Sequence, residues 1–140
     1  MLLESDLIIA YMKKEDWLKE TATKIFKATE EGRLTNIQIS SEVFHELYYV
    51  FSDYAPPSTI LANEARIATM KNITFIDPTK ETYLSALNLM ETYRITSIFD
   101  AIYAATALME KVPDHTILST DEIYERIQGI KRKDPRKLQI

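Results

Sequence analysis

Apolar and polar positions alternate with two different periods along this chain, and the switches between them set the order of the predicted elements. Residues 1–10, MLLESDLIIA, open as a short apolar run with strand character, followed by a polar break from Lys13 to Asp16. From Asp16 to Glu31 the apolar positions Trp17, Leu18, Ala22, Ile25, Phe26 and Ala28 follow helical spacing, and Gly32 stands where a C′ residue would end that helix. Leu34 to Ile39 partly alternates and predicts a strand, after which Ser40 or Ser41 is placed to cap a helix over 42–53. Pro56, Pro57 and Ser58 mark a turn and an N-cap ahead of a helix at 59–71, and Ile73 to Ile76 reads as a short strand. Asp77 and Pro78 predict the cap and first position of a helix over 79–93, with Tyr83, Leu84, Leu87, Met90 and Tyr93 on one side. Ser97-Ile-Phe-Asp100 has capping-box form and opens an alanine-rich helix running to about Lys111. His115 to Ser119 predicts a strand, Asp121 to Gln128 a short helix, and a last strand begins near Ile130.

Strands separated by helices at this rhythm pair in parallel through crossovers, which predicts an α/β sheet with helices on both faces. No repeat, low-complexity tract or linker divides the 140 residues, and 46% hydrophobic content is enough for one packed core, so a single domain over 1–140 is expected. No apolar run approaches the ~18 residues of a membrane helix. The apolar start is broken by Glu4 and Asp6, against a signal peptide, so a cytoplasmic location and no membrane partner are expected.

Composition narrows the chemistry. The absence of cysteine removes disulfides, thiolate metal sites and cysteine nucleophiles. Two glycines, Gly32 and Gly129, cannot build a phosphate-cradling glycine loop, and His45 and His115 stand far apart with no HExxH spacing. Metal chemistry would therefore use oxygen ligands, which suit hard cations such as Mg²⁺ and Mn²⁺. In an open parallel sheet, ligands bind beyond the carboxyl ends of the strands. Glu4 and Asp6 lie toward the end of the first predicted strand, two apart and so on one side of it, and Asp121 follows the strand ending near Ser119. Asp100 stands in the first turn of its helix, where the positive helix end favours a carboxylate. On the helix 42–53, Glu46 borders the apolar stripe of Val43, Phe44, Leu47, Val50 and Phe51, whereas Glu42 falls further round toward solvent. Each acid also has a structural reading: Asp100 and Asp121 as caps, Glu46 as a solvated helix acid. Glu4 and Asp6 interrupt an apolar run, which is costly when buried without a partner and points to a metal or a polar cleft.

These residues resemble the PIN-domain family of nucleases, most strongly in SIFDAIYAATALMEKVPDHTILSTD at 97–121: an aspartate, an alanine-rich helix, a short strand and a Thr-x-Asp-like turn, here Ser119-Thr120-Asp121. ISSEVFHELYYVF at 39–51 is similar to the family's segment leading to a helix Glu followed by Leu, which places Glu46 in the acidic position. The opening departs from the pattern: aligned on Ser5 and Leu7-Ile8-Ile9, Glu4 falls at the family's Asp and Asp6 at its Asn, so both stand as candidates for the first ligand. The resemblance implies a three-layer α/β/α sandwich with a central, mainly parallel sheet. It implies catalytic acids binding Mg²⁺ or Mn²⁺ at Glu4 or Asp6, Glu46, Asp100 and Asp121, and single-stranded RNA as substrate. It also implies a homodimer and an antitoxin protein as partners. Ser119 and Thr120 are expected to donate hydrogen bonds to the acids rather than attack substrate, since no histidine lies in the predicted cluster.

The net charge of −4 opposes a nucleic-acid partner, but Lys131, Arg132, Lys133, Arg136 and Lys137 concentrate five of the 17 basic residues in one segment, the expected nucleic-acid contact. The main rival is a non-catalytic PIN domain that binds RNA or protein. A protein-interaction module using Tyr48, Tyr49, Tyr54, Tyr93 and Tyr103 is a third.

Overall fold

The computed structural model describes residues 1–140. Five strands, β1 (Leu2–Leu3), β2 (Ile37–Ser40), β3 (Ile73–Ile76), β4 (Thr116–Leu118) and β5 (Lys131–Lys133), form one sheet in the order β3-β2-β1-β4-β5. Every neighbouring pair is parallel, with Leu2 opposite both Gln38 and Ile117. Six helices connect them: α1 (Ser5–Met12), α2 (Lys19–Glu30), α3 (Glu42–Phe51), α4 (Pro57–Ala68), α5 (Lys80–Tyr93) and α6 (Ile98–Ala107). No helix is long and apolar enough to cross a membrane.

Both faces of the sheet are covered, as the period-2 alternation of strand side chains requires. Leu2 and Ile117 join one core with Ala86, Ala101, Ile102, Tyr103 and Tyr124, under α5 and α6. Leu3 and Leu118 join the other with Leu7, Ile8, Ile25, Phe26, Val43 and Leu47, under α1, α2 and α3. The result is the three-layer α/β/α sandwich with a parallel sheet that the sequence pattern predicts. The alanines of α6 are all buried.

The opening segment differs from its prediction. Only Leu2 and Leu3 are extended; the chain turns at Glu4, and Ser5–Met12 is a helix with Leu7, Ile8 and Ala10 buried. A fully apolar segment carries no periodicity that separates a buried strand from a buried helix. The acids decide it, since the Glu4 side chain accepts from the Asp6 backbone N–H as the cap and Asp6 lies in the first turn, facing the positive end of the helix dipole. The cap of α5 also shifts: Thr79, not Asp77, forms a capping box with Thr82. The face of α5 carrying Tyr83, Leu84 and Leu87 is exposed, and its buried positions are Thr82 and Ala86.

Candidate active site

The order β3-β2-β1-β4-β5 places the first strand in the middle, with successive connections running outward to one side as far as β3 and then to the other. The reversal point lies between β1 and β4, and a parallel sheet opens a crevice at the carboxyl ends of such a pair because the two loops diverge there. Glu4 and Asp6 follow β1, and Ser119, Thr120 and Asp121 follow β4. Asp100 comes from the first turn of α6 and Glu46 from α3. All five predicted acids therefore meet at one edge, although Glu4 and Asp6 arrive there as the cap and first turn of a helix rather than as alternate residues of a strand.

Short hydrogen bonds hold two of the acids. Glu4 is 5% exposed; its Oε1 accepts from Ser5 Oγ at 2.6 Å and its Oε2 from Ser119 Oγ at 3.2 Å. Asp6 Oδ2 accepts from both the backbone N–H of Thr120 at 2.9 Å and its Oγ1 at 2.6 Å. The loop after β4 is thus tied to the start of α1 by two carboxylates. Asp121 accepts from the Ile123 N–H at 2.8 Å as the cap of a 3₁₀ turn, Glu122–Arg126, and Asp100 receives its cap from Ser97. The capping and site readings of Asp121 coexist, since a cap uses only one lone pair of a carboxylate, whereas Asp100 gives only its backbone N–H to Ser97 Oγ and its carboxyl takes no part in the cap.

Two residues that the sequence reading does not assign to the site complete the arrangement. Ser5 supports Glu4. Tyr103, fully buried on α6, donates from its hydroxyl to Glu46 Oε2 at 2.5 Å. Tyr103 stands three residues after Asp100 and so shares its helix face, the signal by which it could be found. That position removes Tyr103 from any surface of partner-binding tyrosines; Tyr48, Tyr49 and Tyr54 are exposed. Glu42 is not turned to solvent as predicted: it is buried, Tyr83 Oη of α5 donates to it at 3.1 Å and His45 Nδ1 lies at 3.0 Å.

The electrostatics follow from burial and like charge. Burial, then Asp6, Asp100 and Glu46, hold the Glu4 carboxyl well above the usual carboxylate range. Burial raises Asp6 as well, in part offset by Thr120. Asp100 is pushed up to about 6 by burial and by Glu46, Asp121 and Asp6. None of the nine ion pairs of the protein includes any of these acids, so their mutual repulsion has no protein cation to relieve it.

As they stand, no three acidic or histidine side chains converge closely enough to hold an ion together. The chemistry of the donors nevertheless fits a hard divalent cation: five carboxylates, hydroxyl groups behind them, no sulfur and no imidazole in the cluster. Glu4, Asp6, Glu46, Asp100 and Asp121 are the residues that would hold it.

The basic segment is folded. Lys131 and Lys133 are exposed on the edge strand β5, while Arg132 pairs with Glu125 and donates to the Ser119 carbonyl at 3.1 Å. Arg136 pairs with Asp134 and lies over the Trp17 ring. A cleft of about 590 Å³ runs between Glu125, Arg132, Lys133 and Lys137. Glu125 also borders a second depression that includes Asp121 and Arg126, so the basic groove and the acidic edge adjoin.

Comparison with known proteins matches this architecture. A family model described as PIN domain covers residues 1–130. The VapC20 toxin of Mycobacterium tuberculosis, which cleaves the sarcin–ricin loop, superposes with a TM-score of 0.70 at 15% identity over 93% of this chain and 95% of that one. VapBC2 of Rickettsia felis, solved bound to a DNA fragment from its promoter, gives 0.67 at 16% identity over 94% and 96%. FitAcB of Neisseria gonorrhoeae gives 0.62 at 16% identity over 98% and 99%. No curated protein matches by sequence.

Proposed function

This chain belongs to the PIN-domain family, and we propose that its acidic edge makes it a Mg²⁺- or Mn²⁺-dependent endoribonuclease, acting as one domain over residues 1–140. The observation that carries this reading is the gathering of five acids at the β1/β4 crevice with no cationic side chain among them. A bound divalent ion would supply a water of lowered pKa and stabilise charge on the phosphate oxygens.

The chain's own residues supply position. Thr120 fixes Asp6, Ser5 and Ser119 fix Glu4, and Tyr103 fixes Glu46, so three of the five carboxylates are held in place from behind. Such bonds orient ligands and are worth about 10- to 100-fold in metal affinity. Ser119 and Thr120 donate toward carboxylates with no histidine beside them to take up a proton, which suits support rather than nucleophilic attack. Lys133 and Lys137 border a groove adjoining the acids and offer phosphate contacts to a single strand of RNA.

The cleavage of the sarcin–ricin loop by the M. tuberculosis neighbour supports RNA as the substrate class, and a toxin–antitoxin complex from Klebsiella pneumoniae, similar with a TM-score of 0.64 at 15% identity over 96% of each chain, supports an antitoxin as partner. The exposed Tyr83, Leu84 and Leu87 on α5 offer a surface for a homodimer. A second reading, a non-catalytic PIN domain, draws on the lack of three acids close enough to share one ion and on Glu4 at the place of an aspartate.

Cleavage of single-stranded RNA with Mn²⁺ or Mg²⁺, with EDTA and Asp100→Ala as controls, separates the two. The nuclease reading expects metal-dependent cleavage that falls at least 100-fold in Asp100→Ala. Undiminished cleavage by that variant would refute the assignment, and metal binding without cleavage favours the second reading.

A further inference from the structure

Two buried side-chain polar atoms have no hydrogen-bond partner, Glu64 Oε1 and Tyr124 Oη. Only the second lies beside the acidic edge. Tyr124 is fully buried, and it belongs to the same core cluster as Tyr103. It sits in the 3₁₀ turn that Asp121 caps, three positions after that aspartate. The exposed Asp121 and the fully buried Tyr124 are thus held by one short turn directly after β4. Burial, and then Glu4, Asp100, Tyr103 and Asp121, oppose ionisation of its hydroxyl, which therefore remains a donor.

A buried hydroxyl left unpaired costs free energy, and leucine or phenylalanine would fill the same volume without that cost. The hydroxyl is affordable if it finds its acceptor in another state of the site. Resting on the nuclease reading, we propose that Tyr124 is a positioning residue of the acidic edge, whose hydroxyl donates to a ligand carboxylate once a divalent cation draws the acids together. Tyr103 already makes such a bond, to Glu46 from the neighbouring helix. Tyr124 is the counterpart on the β4 side, unpaired while the acids stand apart. A cation binding among Glu4, Asp100 and Asp121 would bring carboxylate oxygens inward, and a coordinated carboxylate keeps a lone pair free for a donor behind it.

The test compares wild type, Tyr124→Phe and Asp100→Asn by calorimetric Mn²⁺ titration and by thermal unfolding in EDTA. Tyr124→Phe should melt at or above the wild-type temperature in EDTA, because only an unpaired hydroxyl has been removed. It should bind Mn²⁺ about 10-fold more weakly, the usual size of such a support. In wild type, Mg²⁺ should also bring out a protected tyrosine-hydroxyl proton resonance that Tyr124→Phe lacks. A lower melting temperature in EDTA would show that the hydroxyl is already bonded without metal, and would overturn the proposal. Equal Mn²⁺ affinity, with Asp100→Asn impaired, would overturn it while leaving the nuclease reading intact. A wild-type protein that binds no Mn²⁺ would remove both.

Discussion

At the scale of single residues, the acidic edge trades stability for chemistry. Asp100 has its carboxyl raised to about 6 by burial and three neighbouring acids, so the folded protein holds that proton more tightly than the unfolded chain does. Its contribution is therefore fully present below about pH 4, the ordinary aspartate range, and is lost as pH rises through about 6. Glu4 and Asp6, also raised, act with the same sign. Asp134, held at about 2 by Arg136, acts with the opposite sign, but its contribution changes only below the ordinary aspartate range. In EDTA the melting temperature should accordingly fall between pH 5 and pH 7, and Asp100→Asn should flatten that fall and melt higher at pH 8, by on the order of 5 °C or less. A steeper fall in Asp100→Asn would contradict the mutual repulsion. Glu4 and Asp6 are conspicuous in the sequence because they interrupt an apolar run, while Asp100, Asp121 and Glu46 are picked out by a helix start, a strand end and the border of an apolar stripe. Tyr103 and Ser5 are not, because a tyrosine on an alanine-rich helix reads as core until the acceptor from a distant helix is known.

At the scale of elements, what the sequence settles and what it leaves open divide along local against tertiary signals. The span of β3 and the end of α2 are fixed by residues within the element, and both are found as predicted. The change from strand to helix at Glu4 is not, because the run Leu7-Ile8-Ile9-Ala10 is apolar throughout, with all but the half-buried Ile9 in the core, and shows no polar face from which to read a period. The exposed apolar face of α5 misleads for the converse reason, since periodicity marks a face without saying what covers it. The end of α2 shows how much a local signal can carry. Gly32 has φ +73°, its N–H donates to the Thr29 carbonyl, and Arg33 donates back to Ala28. Asn72 then reaches across from the loop before β3 to the carbonyls of Thr29 and Glu30, closing the helix end from a distant segment. A Cβ at position 32 would meet nothing nearer than Asn72 Nδ2 at 3.9 Å, so Gly32→Ala carries backbone strain without a clash. It should cost about 1–2 kcal/mol, read by urea unfolding, with Mn²⁺ affinity unchanged. A neutral substitution would show that α2 ends differently in solution.

At the scale of the whole molecule, charge is sorted by the topology. The five site acids account for more than the entire net charge of −4, so one or two divalent cations bound there would halve or cancel it. What remains is a balanced surface with a basic edge. Lysines on an edge strand have a structural use of their own, since they discourage pairing with a further strand. Arg132 and Arg136 are likewise committed to Glu125 and Asp134. Substituting all five basic residues would therefore mix binding with folding, because Arg132 also donates to the Ser119 carbonyl beside the acids. Lys131, Lys133 and Lys137 make no ion pair within the protein and are exposed, so they can be changed alone. Replacing the three by Gln should leave the melting temperature within about 2 °C, as expected of surface substitutions of a few tenths of a kcal/mol. Each phosphate contact to a single strand adds about 0.7 to the slope of log affinity against log salt, so the slope should fall by roughly 2. An unchanged slope with intact cleavage would place the RNA path on the other side of the acidic edge, across α3 and its exposed Tyr48 and Tyr49.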